Sequence, residues 1–266
     1  MDRRMFVRGA ATGVVGLVAG TGAGVAKVRR DARRSRVPER RAFGRMGTGS
    51  TRVRWSIDVV EPVVALTFDD GPHPRLTPAV LDLLAERGVV ATFFLVGQSA
   101  RAHPDLVARI LDEGHEIGNH TESHASVVRL DGDEARAEVT DGAASLEAVA
   151  GMSPRWFRAP RGMLNGALLR AAADIGEDVA MWSARVPMLG EGATAAERAD
   201  RLMADVEPGA IVLCHDGTSA REDADLEERR RAELPVVAAA LDRLDEAGYR
   251  CGTLSELVAL EDPELV

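Results

Sequence analysis

Six side chains from four separate stretches of this chain have the types and spacing of a metal-assisted hydrolytic site. In His120-Thr121-Glu122-Ser123-His124 two imidazoles stand four residues apart, a spacing that puts both on one face of a helical turn at metal-ligand distance. Thr67-Phe68-Asp69-Asp70-Gly71-Pro72 supplies carboxylates. Adjacent aspartates that are buried and ionised repel each other unless a cation lies close, so the arrangement predicts a divalent metal held by Asp70, His120 and His124. Two nitrogens and one oxygen leave coordination positions open, the pattern of a catalytic rather than a structural zinc site. Zinc suits this donor set, as other transition metals do. Hydrolysis needs a base for the attacking water and an acid for the departing amine. Asp69, beside a ligand but free of the metal, suits the first role, and His215 on another segment suits the second. Arg158 can pair with Asp69, orient it and keep it ionised. Taken singly, each has a plainer reading: surface histidines at a helix start, a capping turn, a strand-end ion pair, a core histidine.

These side chains meet only if the chain brings their segments to one edge. From Val63 onward short apolar runs alternate with amphipathic stretches. The runs predict strands at 63–68, 91–96, 116–119, 155–159, 178–182, 211–215 and 249–253. A helix is expected from the Thr77-Pro78 cap to Gly88, another from His103-Pro104 to Gly114, and more at 133–149, 165–175, 194–205 and 234–247. Such alternation is the mark of an α/β fold: a single domain over 63–260 whose roughly seven parallel strands wrap into a (β/α) barrel, with an open doubly wound sheet as the alternative. Asp69-Asp70, His120, Arg158, Trp182 and His215 each fall at or just beyond the C-terminal end of a different strand. In a barrel those ends form one rim, where active sites are built. Trp182 is either a core aromatic or a sugar platform there. His73, His103 and His115 fall in turns or at helix ends and read as ordinary solvated histidines.

Four motifs in order, Thr67-Phe68-Asp69-Asp70-Gly71-Pro72, His120-Thr121-Glu122-Ser123-His124, Arg158-Ala159-Pro160-Arg161-Gly162 and Leu213-Cys214-His215, resemble those of the polysaccharide deacetylase family, the carbohydrate esterases with a NodB homology domain. Ala91-Thr92-Phe93-Phe94-Leu95-Val96-Gly97 and Gly114-His115-Glu116-Ile117-Gly118-Asn119 are similar to its connecting segments. The resemblance implies a distorted (β/α) barrel and removal of N-acetyl groups from amino sugars of a cell-wall or related polysaccharide. It also implies a zinc- or cobalt-type metal on Asp70, His120 and His124, Asp69 as base, Arg158 as its partner and His215 as acid. Leu213 would line the acetyl pocket, and Pro160 and Arg161 would border the substrate, the Arg161 N–H helping to hold the oxyanion. One segment departs. The family's fourth motif carries an Asp that tunes the acid histidine and a Trp that walls the pocket, whereas Met181-Trp182-Ser183-Ala184-Arg185-Val186-Pro187-Met188-Leu189 matches only its start. Its absence predicts that His215 lacks an orienting bond. Other readings keep the mechanism on an O-acetyl ester, a lipid-linked amino sugar or a small cyclic amide, or make the chain a non-catalytic carbohydrate-binding protein.

Charge is unevenly spread. Residues 1–54 hold 14 of the 33 basic and 3 of the 42 acidic residues, a balance of +11, which leaves the other 212 residues at −20. An acidic body of this kind has no basic stripe for phosphates and argues against nucleic acid as partner. Arg3-Arg4 before Met5-Phe6, then an uncharged stretch from Gly9 to Ala26 interrupted by glycines, reads as a twin-arginine export signal over 1–26. A basic linker to residue 62 follows, suited to touch a membrane or cell wall. The expected protein is therefore exported, acts on an acetylated glycan and is monomeric. Cys214 and Cys251 are the only cysteines, too few for a disulfide framework, and read as two buried free thiols, with a single bridge between them as the alternative.

Overall fold

The computed structural model describes residues 50–187, 193–219 and 223–261. The export signal, the linker up to residue 49, and Met188 and Leu189 of the degenerate segment lie outside the described residues. Nine strands occur among the described residues: β1 (Val53–Arg54), β2 (Val63–Gly71), β3 (Thr92–Leu95), β4 (Glu116–Asn119), β5 (Trp156–Phe157), β6 (Asp178–Ala180), β7 (Ala184–Arg185), β8 (Ile211–His215) and β9 (Arg250–Gly252). They alternate with α1 (Leu76–Arg87), α2 (Gly97–Ala102), α3 (Pro104–Asp112), α4 (Gly132–Ala150), α5 (Gly166–Ile175), α6 (Ala195–Met203), α7 (Ala224–Arg231), α8 (Leu234–Glu246) and α9 (Leu254–Ala259). Every ladder is parallel, in the order β1-β6-β5-β4-β3-β2-β8-β7, with β9 paired to the first half of β2. The distorted (β/α) barrel is borne out as an open one: no ladder joins β1 to β7 among the described residues.

Period-two alternation divides the strands between two apolar compartments. Val64, Leu66 and Phe68 of β2, with Phe93, Leu95, Val212 and Cys214 of its neighbours, pack outward beneath α1, α3, α6 and α8. Val63 and Ala65, with Phe94, Trp156, Ala180 and Ile211, point inward and join Leu254 and Leu257 of α9 in a plug at the N-terminal end of the strands. The same inward rows continue toward the C-terminal end as Thr67 and Asp69 on β2 and as Leu213 and His215 on β8. One barrel interior thus changes from apolar to polar along its length.

Several expectations need correcting. The basic linker does not extend to residue 62: β1 pairs with β6, and Ile57 and Val59 are core residues. A two-residue strand and isolated apolar side chains leave no periodicity to read. The helix after β2 starts at Leu76 and is not capped by Thr77. Thr77 is fully buried, and its hydroxyl instead donates to the Asp216 carboxylate at 2.6 Å. His115 is not solvated; it is buried and its Nδ1 accepts from the Ala91 N–H. Cys214 and Cys251 are free thiols, Cys214 buried as expected and Cys251 only half-buried. No helix among the described residues is long and apolar enough to cross a membrane.

Candidate active site

Asp69 and Asp70 are neighbours on one strand, so a regular pleat would aim them at opposite faces. The register between β2 and β3 shifts between Asp69 and Gly71, and Asp70 takes a left-handed φ of 77°. This bulge turns the second carboxylate back to the rim. Asp70 Oδ1 then lies 3.0 Å from His124 Nε2 and 3.6 Å from His120 Nε2. One donor atom from each of the three buried residues falls within 4.8 Å of the others. His120 Nδ1 lies 2.8 Å from the Arg158 carbonyl, to which it donates, and this leaves Nε2 as the nitrogen with a lone pair for the cluster. The trio fits a divalent metal in donor type and reach.

The two histidines do not sit on a helical turn, contrary to the reading of their spacing. Residues 120–126 form a loop in which Thr121 and His124 have positive φ. Side chains brace it: Asn119 Oδ1 accepts from the Thr121 N–H, Thr121 Oγ1 from the His124 N–H, and Glu138 of α4 from the Ser123 N–H. The loop still brings the ring centroids to 5.1 Å. Electrostatics separate the three groups. Burial raises the Asp70 carboxyl, but bonds and charge from His120 and His124 outweigh it and hold the group well below the usual range. Burial lowers His120, yet the charges of Asp69 and Asp70 raise it overall; His124 is lowered, first by burial and then by His120 beside it.

Asp69 is buried with its Oδ1 2.7 Å from Arg158 Nη1. Arg158 is wholly buried and spends its remaining donors on Thr67 Oγ1 and the carbonyls of Ala180 and Met181. Its guanidinium carbon lies 4.0 Å from the centre of the Phe94 ring. Asp69 is therefore held by a charged hydrogen bond rather than by the Asp70-His120-His124 trio, its Oδ2 being 3.8 Å from His120 Nε2. His215 ends β8 opposite Asp69 in the β2 ladder. Leu213 is buried yet joins none of the apolar clusters, as an inward rim position requires. Pro160 and Arg161 form a tight turn beyond β5 in which Arg161 has φ 56°. A Cβ at Gly162 would lie 2.6 Å from the Trp182 ring, so Trp182, half-buried, lies against this turn. All ten expected residues thus lie at the C-terminal ends of the strands or in the turns that follow.

Other residues of the site were not anticipated. The Asp70 carboxylate accepts from Ser219 Oγ and from Arg230 Nη2, each at 2.7 Å. Asp216 is fully buried beneath the rim, and burial with Asp70 and Asp69 nearby pushes its carboxyl up to about 7. Space is tight there: a Cβ on Gly71 would lie 2.3 Å from Asp216 Oδ2, and one on Gly217 2.0 Å from the Asp70 carbonyl. His215 does not lack a partner, contrary to expectation: its Nδ1 lies 3.1 Å from Glu233 Oε2, a residue at the entry to α8. Asp216 directly follows a motif histidine and was within reach of a sequence reading. Arg230 and Glu233 carried no comparable signal.

Fold and rim define a class, an open parallel (β/α) barrel with an Asp-His-His cluster at its strand ends. Known proteins give the family. A model described as polysaccharide deacetylase matches residues 57–180. A peptidoglycan-N-acetylglucosamine deacetylase of Bacillus cereus is 34% identical over 207 residues, spanning 77% of this chain and 92% of the relative. A chitooligosaccharide deacetylase of Sinorhizobium fredii is 35% identical over 205 residues, spanning 77% and 88%. A solved peptidoglycan N-acetylglucosamine deacetylase superposes with a TM-score of 0.69 at 29% identity, covering 78% of this chain and 92% of that one. The chain belongs to the polysaccharide deacetylase family.

Proposed function

We propose that this protein is a metal-dependent deacetylase that hydrolyses N-acetyl groups on amino sugars of a cell-wall or related polysaccharide. The observation that carries the reading is the pairing of Asp69 with buried Arg158 at 2.7 Å beside a separate Asp70-His120-His124 cluster. One carboxylate faces the two histidines while its neighbour is kept for proton transfer. Asp70, His120 and His124 would hold the ion, with zinc the preferred occupant. When bound, the metal supplies Lewis acidity to the attacking water and the acetyl carbonyl. Asp69 accepts the proton of the attacking water, and Arg158 holds the carboxylate in aim until it acts. His215 donates a proton to the sugar nitrogen as the C–N bond breaks, without which an amine departs poorly. Leu213 lines the acetyl end, Trp182 offers a platform for the sugar, and the turn at Pro160-Arg161 borders the substrate, the Arg161 N–H offered to the oxyanion.

The test pairs metal content with release of free amine from a short N-acetylglucosamine oligomer. Asp69→Asn should retain one metal per chain and lose turnover at least a hundredfold, while His120→Ala and His124→Ala should lose the metal. Metal loss in Asp69→Asn, or full metal retention in both histidine variants, refutes the division of roles. We infer further that residues 1–26 direct export by the twin-arginine route, that the basic segment after them touches an anionic membrane or wall, and that the protein acts as a monomer. Retention of an Arg3→Lys/Arg4→Lys variant inside the cell is the expected result, and normal export of it excludes that route.

A further inference from the structure

Glu233 and Arg230 belong to none of the family motifs, yet they form the only charged bridge from the His215 side of the rim to the cluster side among the described residues. Glu233 Oε2 lies 3.1 Å from His215 Nδ1, its Oε1 accepts from Arg230 Nη1 at 3.0 Å, and Arg230 Nη2 reaches Asp70 Oδ2 at 2.7 Å. The bridge is shielded from solvent: side-chain exposure is 6% for Glu233 and Asp70, 10% for Arg230 and 19% for His215. It is also built from outside. Arg198 of α6, almost wholly buried, donates to the carbonyls of Pro187 and Ala232 and so fixes the backbone immediately before Glu233.

We infer that Glu233 is the positioning residue of the leaving-group acid, replacing from the α7–α8 junction the carboxylate that the stretch Met181–Leu189 does not contain. This inference rests on the deacetylase reading. An ionised carboxylate only accepts hydrogen bonds, so Nδ1 of His215 must carry the hydrogen that faces Glu233. That assignment leaves Nε2 as the nitrogen that changes protonation, and it fixes the ring about the Nδ1 bond. In the step itself Nε2–H passes its proton to the sugar nitrogen as the C–N bond breaks. The imidazole is left neutral with Nδ1–H still on Glu233, and Arg230 holds the second oxygen so that the carboxylate cannot swing to the cluster. Burial alone would raise the Glu233 carboxyl, but the bonds and charges of His215 and Arg230 outweigh it and keep it below the usual range. The other charged or titratable groups facing the pair are Arg198 on α6, Asp69 on β2 and Cys214 on β8, the last with its thiol pushed well up by burial.

The test uses the full-length, metal-loaded protein and compares Glu233→Gln, Glu233→Asp and His215→Ala with the parent. Substrates are a short N-acetylglucosamine oligomer and 4-nitrophenyl acetate, whose phenolate leaves without an acid. With metal content unchanged, Glu233→Gln should lower kcat on the amide about 10- to 100-fold, the scale of one charged hydrogen bond. KM should stay within about twofold and the ester rate within about threefold, because neither substrate binding nor departure of the phenolate needs the acid. Glu233→Asp should recover part of the amide rate, and adding Glu233→Gln to His215→Ala should cost nothing more. An unchanged amide rate in Glu233→Gln with His215→Ala inactive overturns this inference alone; equal losses on both substrates overturn it in favour of a purely structural bridge. If the parent binds metal but hydrolyses only the ester, the deacetylase reading fails instead. The inference is then decided by proton NMR of the His215 ring: the Nδ1–H signal, held downfield by the bond to Glu233, must move upfield in Glu233→Gln and refutes the pairing if it does not.

Discussion

Removing one side of the Asp69–Arg158 pair should be among the costliest single changes in the barrel. The Arg158 side chain is 0% exposed, and its four hydrogen bonds go to Asp69, Thr67 and two main-chain carbonyls. Burial pulls the guanidinium below its ordinary value and Asp69 opposes that pull, so each charge is tolerated because the other is there. Arg158→Met fills similar volume but strands the Asp69 carboxylate, a loss of about 3–5 kcal/mol. At a urea slope of about 2 kcal/mol per M, that lowers the unfolding midpoint by about 1.5–2.5 M. Asp69→Ala should cost a comparable amount by stranding the guanidinium. The double variant strands neither charge, so its loss should fall at least about 2 kcal/mol short of the sum of the singles. Urea denaturation in the presence of EDTA, which keeps metal binding out of the comparison, measures all four proteins. Losses that add to within about 0.5 kcal/mol would show that the two residues do not stabilise each other, and the argument that Arg158 holds Asp69 in place would fall with them.

Glu177 should make stability fall as pH rises. Burial, only partly offset by the Asn119 bond, pushes its carboxyl from 4.5 up to about 8. Between those values the unfolded chain has released the proton and the folded chain still holds it, so rising pH favours unfolding across that window. Glu177→Gln keeps an acceptor for Asn119 and should remove that decline, leaving the variant more stable than the parent at pH 8; parallel stability curves from pH 5 to 8 would refute this. Truncation should find the domain edge. Removal of residues 1–49 should leave unfolding unchanged, whereas removal of 1–54 deletes β1, the bond from Thr51 to the Glu177 carbonyl and the 2.5 Å pair of Arg54 with Glu261, costing about 1–3 kcal/mol. Equal stability of the two truncated proteins would place the edge after β1.

Strand ends proved more legible than the turns between them. β8 matched its apolar run residue for residue, and the convergence of Asp69, His120, Arg158 and His215 followed from placing each at the end of such a run. The His120–His124 loop was misjudged because i,i+4 spacing says that two side chains can meet without saying what backbone joins them. Here side-chain bonds from Asn119, Thr121 and Glu138 outcompete a helical turn. Thr77 has the composition of a cap, but tertiary packing recruits its hydroxyl for Asp216. Glu233 stood 18 residues beyond its histidine with no periodicity linking them. Its place is set by how α7 meets α8 and by the grip of Arg198 on Ala232, relations that exist only once the chain has folded.

Among the described residues five that are not glycine adopt positive φ: Asp70, Thr121, His124, Arg161 and Ser219. All five lie on the rim, and each such conformation costs of order 1–3 kcal/mol unless its surroundings compensate. The barrel wall therefore underwrites a mouth that would relax if released. Selection for heat resistance alone would favour glycine or asparagine at these points and would gain stability by dismantling the Asp70–His124 geometry. In a mutational library scored for folding and for hydrolysis, these five positions should be where the two rankings part most sharply.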